Sequence, residues 1–247
     1  MLKVSIISAV YNRCATISTA INSVQMQEYP NISHVIVDGG STDGTMNIVR
    51  EFSAANQVVI SEPDDGIYDA LNKGIKLADG DIVGLLHSDD LFSDAMVITD
   101  IVASFSDPAV QLVYGDLVYV EESNVAKVVR RWISGNFVRR KLRTGWMPPH
   151  PTVFVRKSVF DQLGAYDTSF KISADYDAML RFFQSGICSR YIPRELVKMR
   201  LGGVSNRGVK NIITKMKEDY RAIRKNNVGG AGTLVFKSLS KIRQFIT

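Results

Sequence analysis

Two neighbouring carboxylates, Asp89 and Asp90, directly follow an apolar segment of the chain. That segment, residues 82–86, has the composition of a strand buried on both faces. Open α/β sheets bind their ligands at the carboxyl ends of such strands. Adjacent carboxylates repel each other, and a hard divalent cation is a common counter-charge. The pair therefore indicates a metal site; the alternative is a solvated loop in which Asp90 or Ser93 caps the next helix.

A second acidic loop begins at Asp38, which ends the apolar segment 34–37 and precedes a Gly/Ser/Thr-rich stretch, residues 39–45. A loop of this composition exposes backbone N–H groups and lets a ligand approach closely. The Asp38 carboxylate can accept a hydrogen bond from a nucleobase or a ribose. The alternative is a tight turn capped by Asp43 or Thr45. The loop matches neither the phosphate-binding P-loop nor GxGxxG.

A third acidic loop, residues 61–66, follows the apolar segment 58–60 and contains Asp64, Asp65 and Gly66. By itself this loop is a turn followed by a helix cap. Capping alone does not predict acidic loops at three successive strand ends. Together the three loops indicate one shared binding site.

The elements that position these loops alternate between strands and helices. Strands are predicted at residues 3–10, 34–37, 58–60 and 81–86, and helices at 15–27, 45–52, 66–78 and 93–105. This order predicts an α/β fold with a mostly parallel central sheet and helices on both faces. The remainder predicts strands at 111–114, 118–121 and 126–132, an irregular basic segment at 135–144, and helices at 157–163, 175–185, 209–226 and 234–246.

Composition and charge restrict the class of protein. The 247 residues are 45% hydrophobic, and we expect neither a membrane span nor a signal peptide. Cys14 and Cys188 lie far apart, which favours free thiols and a cytoplasmic location. Residues 1–126 carry 5 Lys and Arg against 18 Asp and Glu, net −13, whereas residues 127–247 carry 25 against 7, net +18. The acidic half suits a cation and the basic half suits phosphates or an anionic membrane; no nucleic-acid partner is expected.

Taken in order, these motifs resemble the family 2 glycosyltransferases, which have the GT-A nucleotide-sugar-binding fold. Residues 4–13 are similar to the family's opening strand, and residues 37–45 to its nucleotide-contacting loop. Residues 62–74 resemble a motif of enzymes that build bacterial surface polysaccharides, and residues 87–89 resemble the family's metal-binding Asp-x-Asp. The likeness continues through 150–151, 164–167 and 174–177 to Gly202-Gly203-Val204-Ser205. It implies a GT-A, Rossmann-like domain over 1–205, with a nucleotide-binding half (1–110), an acceptor-binding half (111–205) and a C-terminal extension of basic helices (206–247).

The resemblance also assigns roles to matching positions. It implies that Asp89 ligates a Mn²⁺ or Mg²⁺ bridging the two phosphates of the donor, with Asp90 in support, and that Asp175 is the general base. The residues implied for nucleotide-sugar binding are Val10, Tyr11, Asn12, Asp38, Asp64, Asp65, Gly66, Lys73, Ser88 and Asp89.

These parts fit the chemistry of an inverting glycosyl transfer. A divalent ion stabilises the charge that develops on the leaving phosphate, and a carboxylate takes the proton of the incoming hydroxyl. One base and one stabilised leaving group give a single in-line displacement, hence inversion. We therefore predict an enzyme that moves a sugar from a nucleotide sugar, with a UDP-sugar as the preferred donor, to a glycan or lipid-linked acceptor in cell-surface polysaccharide synthesis.

Two positions depart from the family pattern. His87 replaces the first Asp of Asp-x-Asp, and Ala174 replaces the Glu that commonly precedes the base. His87 is either a metal or phosphate contact or a hydrogen-bonded structural imidazole. Because these departures weaken the site, a non-catalytic nucleotide- or glycan-binding protein is one alternative. A sugar nucleotidyltransferase is another, although residues 9–14 lack the Gly-rich phosphate loop that it needs.

Further residues are candidate acceptor or phosphate contacts, each with a structural alternative. His150 lies between two prolines and is either such a contact or a structural histidine. Trp146 can stack on a sugar or pack in the core. Asp177 can contact the acceptor or pair with Arg181 four residues on. The negative charge of Asp175 could merely stabilise the positive end of the helix dipole at the start of a helix.

The basic half contains a candidate membrane-binding helix. Residues 127–143 carry seven Lys and Arg and no acid, and residues 234–246 mix Leu234, Val235, Phe236, Leu239, Ile242, Phe245 and Ile246 with Lys237, Lys241 and Arg243. Such a helix suits an anionic membrane surface. We predict peripheral association with the inner face of the plasma membrane; a homodimer formed through the same helix is the alternative.

Overall fold

The computed structural model describes residues 1–201 and 209–243, and the side chains of residues 1–201 and 211–239. Its first part alternates strand and helix as the hydrophobic pattern predicts. The elements are β1 (Val4–Val10), α1 (Ile17–Gln25), β2 (Ile32–Asp38), α2 (Thr45–Glu51), β3 (Gln57–Ser61), α3 (Ile67–Leu77), β4 (Ile82–Leu85), β5 (Leu91–Phe92) and α4 (Val97–Ser104).

The second part completes the sheet and adds helices. Its elements are β6 (Val110–Val120), β7 (Val128–Trp132), 3₁₀ turns at Arg139–Thr144 and His150–Thr152, β8 (Phe154–Arg156), α5 (Lys157–Leu163), α6 (Ala174–Gln184), β9 (Cys188–Arg200), α7 (Val209–Lys225) and α8 (Ala231–Arg243).

Within the described residues one sheet holds all nine strands, in the order β3-β2-β1-β4-β8-β6-β9-β5, with β7 paired to β6. β1 to β4 are mutually parallel, and β9 runs parallel to β6. β5, β7 and β8 are antiparallel to their neighbours. The predicted α/β fold with a mostly parallel sheet is therefore confirmed, and both halves of the chain share that sheet.

Helices cover both faces of the sheet. The side chains of β1 point alternately to one face and to the other, so both faces are apolar. Ile7 packs with Leu71 and Ile75 of α3 on one face, whereas Ile6 packs with residues of α1 and α4 on the other. Gly74 brings α3 close to the sheet, since a Cβ at this position would meet Ile7 Cγ2. The carboxyl ends of β1, β2 and β4 are thereby fixed at one edge of the sheet.

Two predictions for the second half were wrong. The strands predicted at 111–114 and 118–121 are one strand, β6, because Gly115 and Asp116 lie within it rather than in a turn. Asp116 accepts hydrogen bonds there from the Ser134 N–H (2.8 Å) and the Tyr191 hydroxyl. Residues 188–200, for which no element was predicted, form the long strand β9.

The C-terminal helices pack into the main core. Ala222 and Ile223 of α7, with Val228 after it, are buried in the cluster that contains α3 and α6. The chain leaves the helical conformation around Gly229 and Gly230, as predicted. Parts of the predicted motifs, namely Gly202-Gly203-Val204-Ser205, Phe245, Ile246 and the side chains of Lys241, Ile242 and Arg243, lie outside the described residues. No helix among those described combines the length and apolarity needed to cross a membrane.

Candidate active site

A cleft of about 1530 Å³ lies at the carboxyl ends of the strands. Its wall brings together many of the predicted residues from both halves of the sequence: Val10, Tyr11, Asn12, Asp64, Gly66, Ser88, Asp89, Trp146, His150 and Asp175. The other predicted residues do not line the cleft. They are Asp38, Asp65, Lys73, Asp90 and Asp177.

Asp38 organises the loop that follows β2. It is fully buried, and its carboxylate accepts hydrogen bonds from the backbone N–H groups of Gly40 and Ser41 and from the Ser61 hydroxyl at 2.6 Å. The carboxylate oxygens of Asp38 therefore accept hydrogen bonds from groups of the protein itself. The sequence predicted that Asp38 contacts the nucleotide; in the structure its side chain is buried and is not among the residues that line the cleft.

Asn12 connects this loop to the end of β1. Its backbone has φ +51°, its N–H donates to Ser41 Oγ at 2.8 Å, and its side-chain oxygen accepts from the Thr42 N–H at 2.9 Å. The neighbouring Tyr11 remains exposed at the mouth of the cleft. This part of the wall is thus held rigidly while an aromatic ring stays available for a ligand.

The acidic turn after β3 is held against the same loop. Asp64 accepts from the Gly66 N–H at 2.9 Å, and a Cβ at Gly39 would collide with its other carboxylate oxygen. Gly66 has φ +109°, a backbone conformation that suits glycine. Close packing therefore explains the glycine at position 39, and the backbone conformation explains the glycine at position 66.

Lys73 braces this turn from behind. Its ammonium contacts Glu62 (2.9 Å), Asp69 (3.2 Å) and the Pro63 carbonyl (3.0 Å). Asp65 uses its backbone N–H to donate to Asp69. These contacts give Lys73 and Asp65 a role in the shape of the turn.

Asp89 and Asp90 point in different directions. Asp89 is half-buried and lines the cleft. Asp90 is buried, its Oδ1 accepts from the Arg200 N–H at 3.3 Å, and burial, followed by the charge of Asp89, raises the pKa of its carboxyl well above the usual value. We therefore leave Asp90 out of the proposed metal site.

Among the described residues no three His, Cys, Asp or Glu side chains form a ready-made metal cage. Mg²⁺ and similar ions at nucleotide sites use one or two carboxylates and take their other ligands from phosphates and water. The single carboxylate of Asp89 in the cleft wall fits an ion of that kind. Such an ion would be held jointly by Asp89 and the diphosphate of a donor.

Asp175, which also lines the cleft, stands in the first turn of α6 and contacts two side chains. His150 Nδ1 lies 3.1 Å from its Oδ2, and the Tyr68 hydroxyl lies 3.2 Å from its Oδ1. The other ring nitrogen of His150 is 2.7 Å from His87 Nε2. His87 is thus a hydrogen-bonded imidazole, which is one of the roles that the sequence left open for it.

The protonation of Asp175 and His87 follows from their burial and from the charges of their neighbours. Burial acts to raise the pKa of Asp175, but the hydrogen bond and charge of His150, with two lysines of α7 and α8, outweigh it and hold that pKa well below its usual range. Burial, and then the charge of His150, lowers the pKa of His87 to about 4. At neutral pH Asp175 is therefore ionised and His87 is uncharged.

Asp177 and Trp146 have mainly structural roles, which the sequence offered as the alternatives to ligand contact. Asp177 is fully buried and contacts Asn226 (2.9 Å), Lys225 (3.1 Å) and Arg181 (3.7 Å). Trp146 lines the cleft, but its indole N–H donates to the Ser134 carbonyl and its ring packs in an aromatic cluster. Asp177 therefore ties α6 to α7, and Trp146 combines a place in the cleft lining with a place in the aromatic packing.

Sequence reasoning missed the contribution of the C-terminal helices. Lys215 and Glu218 of α7 and Lys237 of α8 line the cleft. The available signal was the acidic pair Glu218-Asp219, which interrupts an otherwise basic segment. Asp219 is buried, accepts from the Ser173 hydroxyl at 2.8 Å and pairs with Lys237 at 2.8 Å.

The fold is that of GT-A glycosyltransferases. The 1-349 segment of TarS from S. aureus, solved in complex with UDP-GlcNAc, superposes with a TM-score of 0.71 at 18% identity, covering 92% of this chain and 66% of that segment. The mannosyltransferase PcManGT from Pyrobaculum calidifontis, solved with GDP-Man and Mn²⁺, gives 0.68 at 20% identity, covering 99% of this chain and 70% of that one. At such identities the likeness shows the fold alone.

Sequence comparison gives the family. The model of glycosyl transferase family 2 matches residues 5–164, so the chain belongs to that family and is a glycosyltransferase. A PGL/p-HBAD biosynthesis glycosyltransferase of Mycobacterium tuberculosis is 30% identical over 209 residues, which cover 82% of this chain and 78% of the relative. Glycosyltransferase AglE of Haloferax volcanii is 31% identical over 170 residues, covering 66% and 55%.

Proposed function

We propose that this protein is an inverting, metal-dependent glycosyltransferase that uses a nucleotide sugar, preferably a UDP-sugar. The observation that carries the proposal is the position of two carboxylates in one cleft. Asp89 lies in the loop after β4 and Asp175 in the first turn of α6, and both line the cleft. The donor diphosphate would bind beside Asp89, and the acceptor hydroxyl would approach from the side of Asp175.

Different residues would serve the donor and the acceptor in the proposed reaction. Tyr11, Asn12 and the Asp64–Gly66 turn would hold the nucleoside, and Asp89 would share a Mn²⁺ or Mg²⁺ with the diphosphate. That ion would supply a Lewis acid for the leaving group. Asp175 would supply the negative charge that draws the proton from the acceptor hydroxyl. Attack opposite the leaving group inverts the anomeric carbon.

UDP is the proposed nucleotide because a structural neighbour, TarS, was solved with UDP-GlcNAc. The other neighbour was solved with GDP-Man, so guanosine donors belong in the same test. The acceptor would be a glycan or a glycolipid precursor, because the mycobacterial relative is named for PGL/p-HBAD biosynthesis. The proposed setting is assembly of cell-surface polysaccharide or glycolipid.

Thermal stabilisation by a panel of UDP- and GDP-sugars, with and without Mn²⁺, tests the donor and the ion, because a ligand that binds the folded state raises its apparent stability. We expect one UDP-sugar to stabilise the protein, more strongly with Mn²⁺, and D89N to lose the increment due to Mn²⁺. Release of UDP by the wild type and by D175N then tests turnover. Binding without turnover in either protein would favour the non-catalytic alternative, and no binding to any donor would overturn the proposal.

We further propose that α8 and the 3₁₀ turn at 139–144 rest on an anionic membrane. Val235, Phe236 and Leu239 of α8 are 57%, 56% and 53% exposed. The 3₁₀ turn packs beside α8, since a Cβ at Gly145 would meet Lys237. Its exposed arginines, Arg139, Arg140 and Arg143, would supply the charge.

Lys237 takes no part in that contact, unlike the expectation from the sequence. It is buried, its ammonium lies 2.8 Å from Asp219, and it sits 3.1 Å from the centre of the Tyr176 ring. The basic contribution to the proposed membrane surface therefore comes from the neighbouring turn. A surface between two copies of the chain remains the competing use of the same apolar residues.

A further inference from the structure

A second cavity, of about 280 Å³, lies outside the cleft described above. It is lined by residues of the 3₁₀ turn Arg139–Thr144, by Gln184 at the end of α6, and by Asn227 and Val228 between α7 and α8. None of its lining residues also lines the cleft. We propose that this cavity is a binding site for a phosphate group.

The geometry of the 3₁₀ turn places two arginines on one face. In a 3₁₀ helix, side chains three residues apart lie one above the other. Leu142 is buried in the main core, so Arg139 shares the face of the turn that carries Leu142. Arg140 and Arg143 share the next face, and both are exposed. Two guanidinium groups are therefore held near each other in the lining of the cavity.

The positive charge of this pair is not balanced within the described part of the chain. Among the residues that the structure describes, no carboxylate lines the cavity. The guanidinium groups of Arg140 and Arg143 form no ion pair and no hydrogen bond with another described residue. Neighbouring like charges repel each other, and an anion bound between them relieves that repulsion.

The remaining lining adds hydrogen-bond donors above an apolar floor. Gln184 Oε1 accepts from Arg139 Nε at 3.4 Å, which leaves the Gln184 N–H₂ group for a ligand. The exposed amide of Asn227 supplies a second N–H₂ group. Leu142 and Val228 are only 2% and 3% exposed and form the floor. The cavity is thus a concave surface whose polar groups are mainly donors.

Arg139 offsets the one unfavourable feature of the site. Gln184 is the last residue of α6, so the negative end of that helix dipole lies next to the cavity. Arg139 Nη2 donates to the Gln184 carbonyl oxygen at 3.2 Å. The guanidinium of Arg139 thereby neutralises the helix end, and those of Arg140 and Arg143 are left for a ligand.

The chemistry and size of the cavity favour a phosphate over other anions. A guanidinium binds phosphate through two parallel N–H···O bonds, and two guanidinium groups match the double negative charge of a phosphate monoester. The volume of about 280 Å³ lies just below the usual range for ligand sites, roughly 300–1,000 Å³. A small group therefore fits better than a whole nucleotide. No aromatic side chain among the described residues lines the cavity, so nucleic-acid bases have no stacking surface there.

Two sources can supply such a group: a soluble phosphorylated compound and the headgroup of an anionic lipid. The inference is independent of the proposed glycosyl transfer, because phosphate binding here needs neither a sugar donor nor a metal. It also goes beyond the general attraction to an anionic membrane proposed above. That attraction needs no cavity and does not distinguish a phosphate monoester from a diester.

The first test measures binding of inorganic phosphate by isothermal titration calorimetry at constant ionic strength. We expect R140Q/R143Q to bind phosphate roughly tenfold or more weakly than the wild type, because two charged donors are lost. K76Q/K217Q is the matched control, since it changes the net charge equally at two exposed lysines that line neither cavity. The control should stay within about twofold of the wild type, because distant surface charges are screened.

Phosphate that also enters the cleft affects both variants alike, so the difference between them reports on the second cavity. No saturable binding in the wild type, or equal binding by R140Q/R143Q and the control, would overturn the proposal. A second measurement uses the folded wild type alone. The Nε–H signals of Arg140 and Arg143 in ¹⁵N NMR spectra, identified by their loss in R140Q and R143Q, should shift as phosphate is added. Signals that stay constant would also refute the site.

Co-sedimentation with vesicles separates the two sources. Phosphatidylcholine vesicles would contain either phosphatidic acid, whose headgroup is a phosphate monoester, or phosphatidylglycerol, whose headgroup is a diester. A loss of binding by R140Q/R143Q that is confined to phosphatidic acid identifies a lipid headgroup as the source. Equal co-sedimentation of R140Q/R143Q and the control, beside a loss in calorimetry, identifies a soluble compound. An equal loss with both lipids and none in calorimetry would reduce the arginines to general attraction and overturn the site.

Discussion

The Glu218 carboxylate on α7 accepts the backbone N–H of Ser173, the residue that precedes α6, at 3.0 Å. The same carboxylate accepts the N–H groups of Lys171 (2.9 Å) and Ile172 (2.8 Å). Because Asp175 stands two residues beyond Ser173, a helix that is distant in sequence fixes the start of the helix that carries the proposed base. The unpaired N–H groups at a helix start make it a natural place for a carboxylate.

Replacing Glu218 by Ala should destabilise the protein. The change leaves three backbone donors without their acceptor, and we expect a loss of about 1–3 kcal/mol in the free energy of unfolding. Urea denaturation measures it. Glu122→Ala, in an exposed turn after β6, is the matched control and should change stability by less than about 0.5 kcal/mol. Equal effects of the two changes would contradict the role given to Glu218.

Two helical glycines should respond to alanine with opposite signs. A Cβ at Gly74 would meet Ile7 of the sheet, so Gly74→Ala should lower the free energy of unfolding by about 1–3 kcal/mol. Gly232, in α8, has no atom within 4 Å of such a Cβ. Gly232→Ala should therefore raise stability by up to about 1 kcal/mol, because alanine favours the helix. Denaturation curves that show the same sign for both would contradict the packing described for α3.

The stability of the fold should fall as the pH drops below neutrality, partly because of His34. Burial lowers the pKa of His34 to about 4 from an ordinary 6.5, and its Nε2 lies 3.0 Å from Ser8 Oγ. A pKa lowered on folding means that the unfolded chain binds the proton first, so stability is present above pH 6.5 and is lost as the pH falls toward 4. We expect a loss of about 2 kcal/mol from this group between pH 7 and pH 5.

Urea denaturation of the wild type and of His34→Gln at the two pH values measures that contribution. The variant should show a smaller difference between pH 7 and pH 5, while the other titrating groups act equally in both proteins. An identical difference in both would show that His34 titrates alike in the folded and unfolded chains.

Membrane binding should depend on the apolar residues of α8. We expect V235S/F236S/L239S to reduce co-sedimentation with vesicles that contain anionic lipid, because the variant removes the exposed apolar surface. Point changes are preferable to deletion of residues 230–247, which would also remove the buried Lys237–Asp219 ion pair. Val58→Ser and Val59→Ser, at two exposed positions of the edge strand β3, form the control.

Binding that is equal for neutral and anionic vesicles, or unchanged in the triple variant, would contradict the membrane surface. A loss of self-association in the same variant, measured by analytical ultracentrifugation, would instead favour contact between two copies of the chain.

The sequence predicted the first half of the fold closely because β1, β2 and β4 are buried on both faces and the helices have regular apolar spacing. It missed β9 because Arg190, Pro193, Arg194 and Glu195 interrupt the hydrophobic pattern of that segment. A long strand of mixed composition is stable here because β6 and β5 lie on its two sides. Strand partners that are distant in sequence are not visible in local periodicity.

For the site, the sequence located the loops better than the direction of individual side chains. Asp38 and Asp89 both end apolar strands, yet one carboxylate turns into its own loop and the other faces the cleft. The pairing of His87 with His150 could not be predicted, because 63 residues separate them in the chain. Which acidic group is a ligand and which is a scaffold depends on such contacts.

The hold of α7 on the start of α6 has a consequence for biosynthesis. The ribosome makes Glu218 and Asp219 after every strand of the described sheet. Under the proposed function, a nascent chain that ends before α7 would therefore carry Asp89 but lack the contacts that fix the backbone just before Asp175.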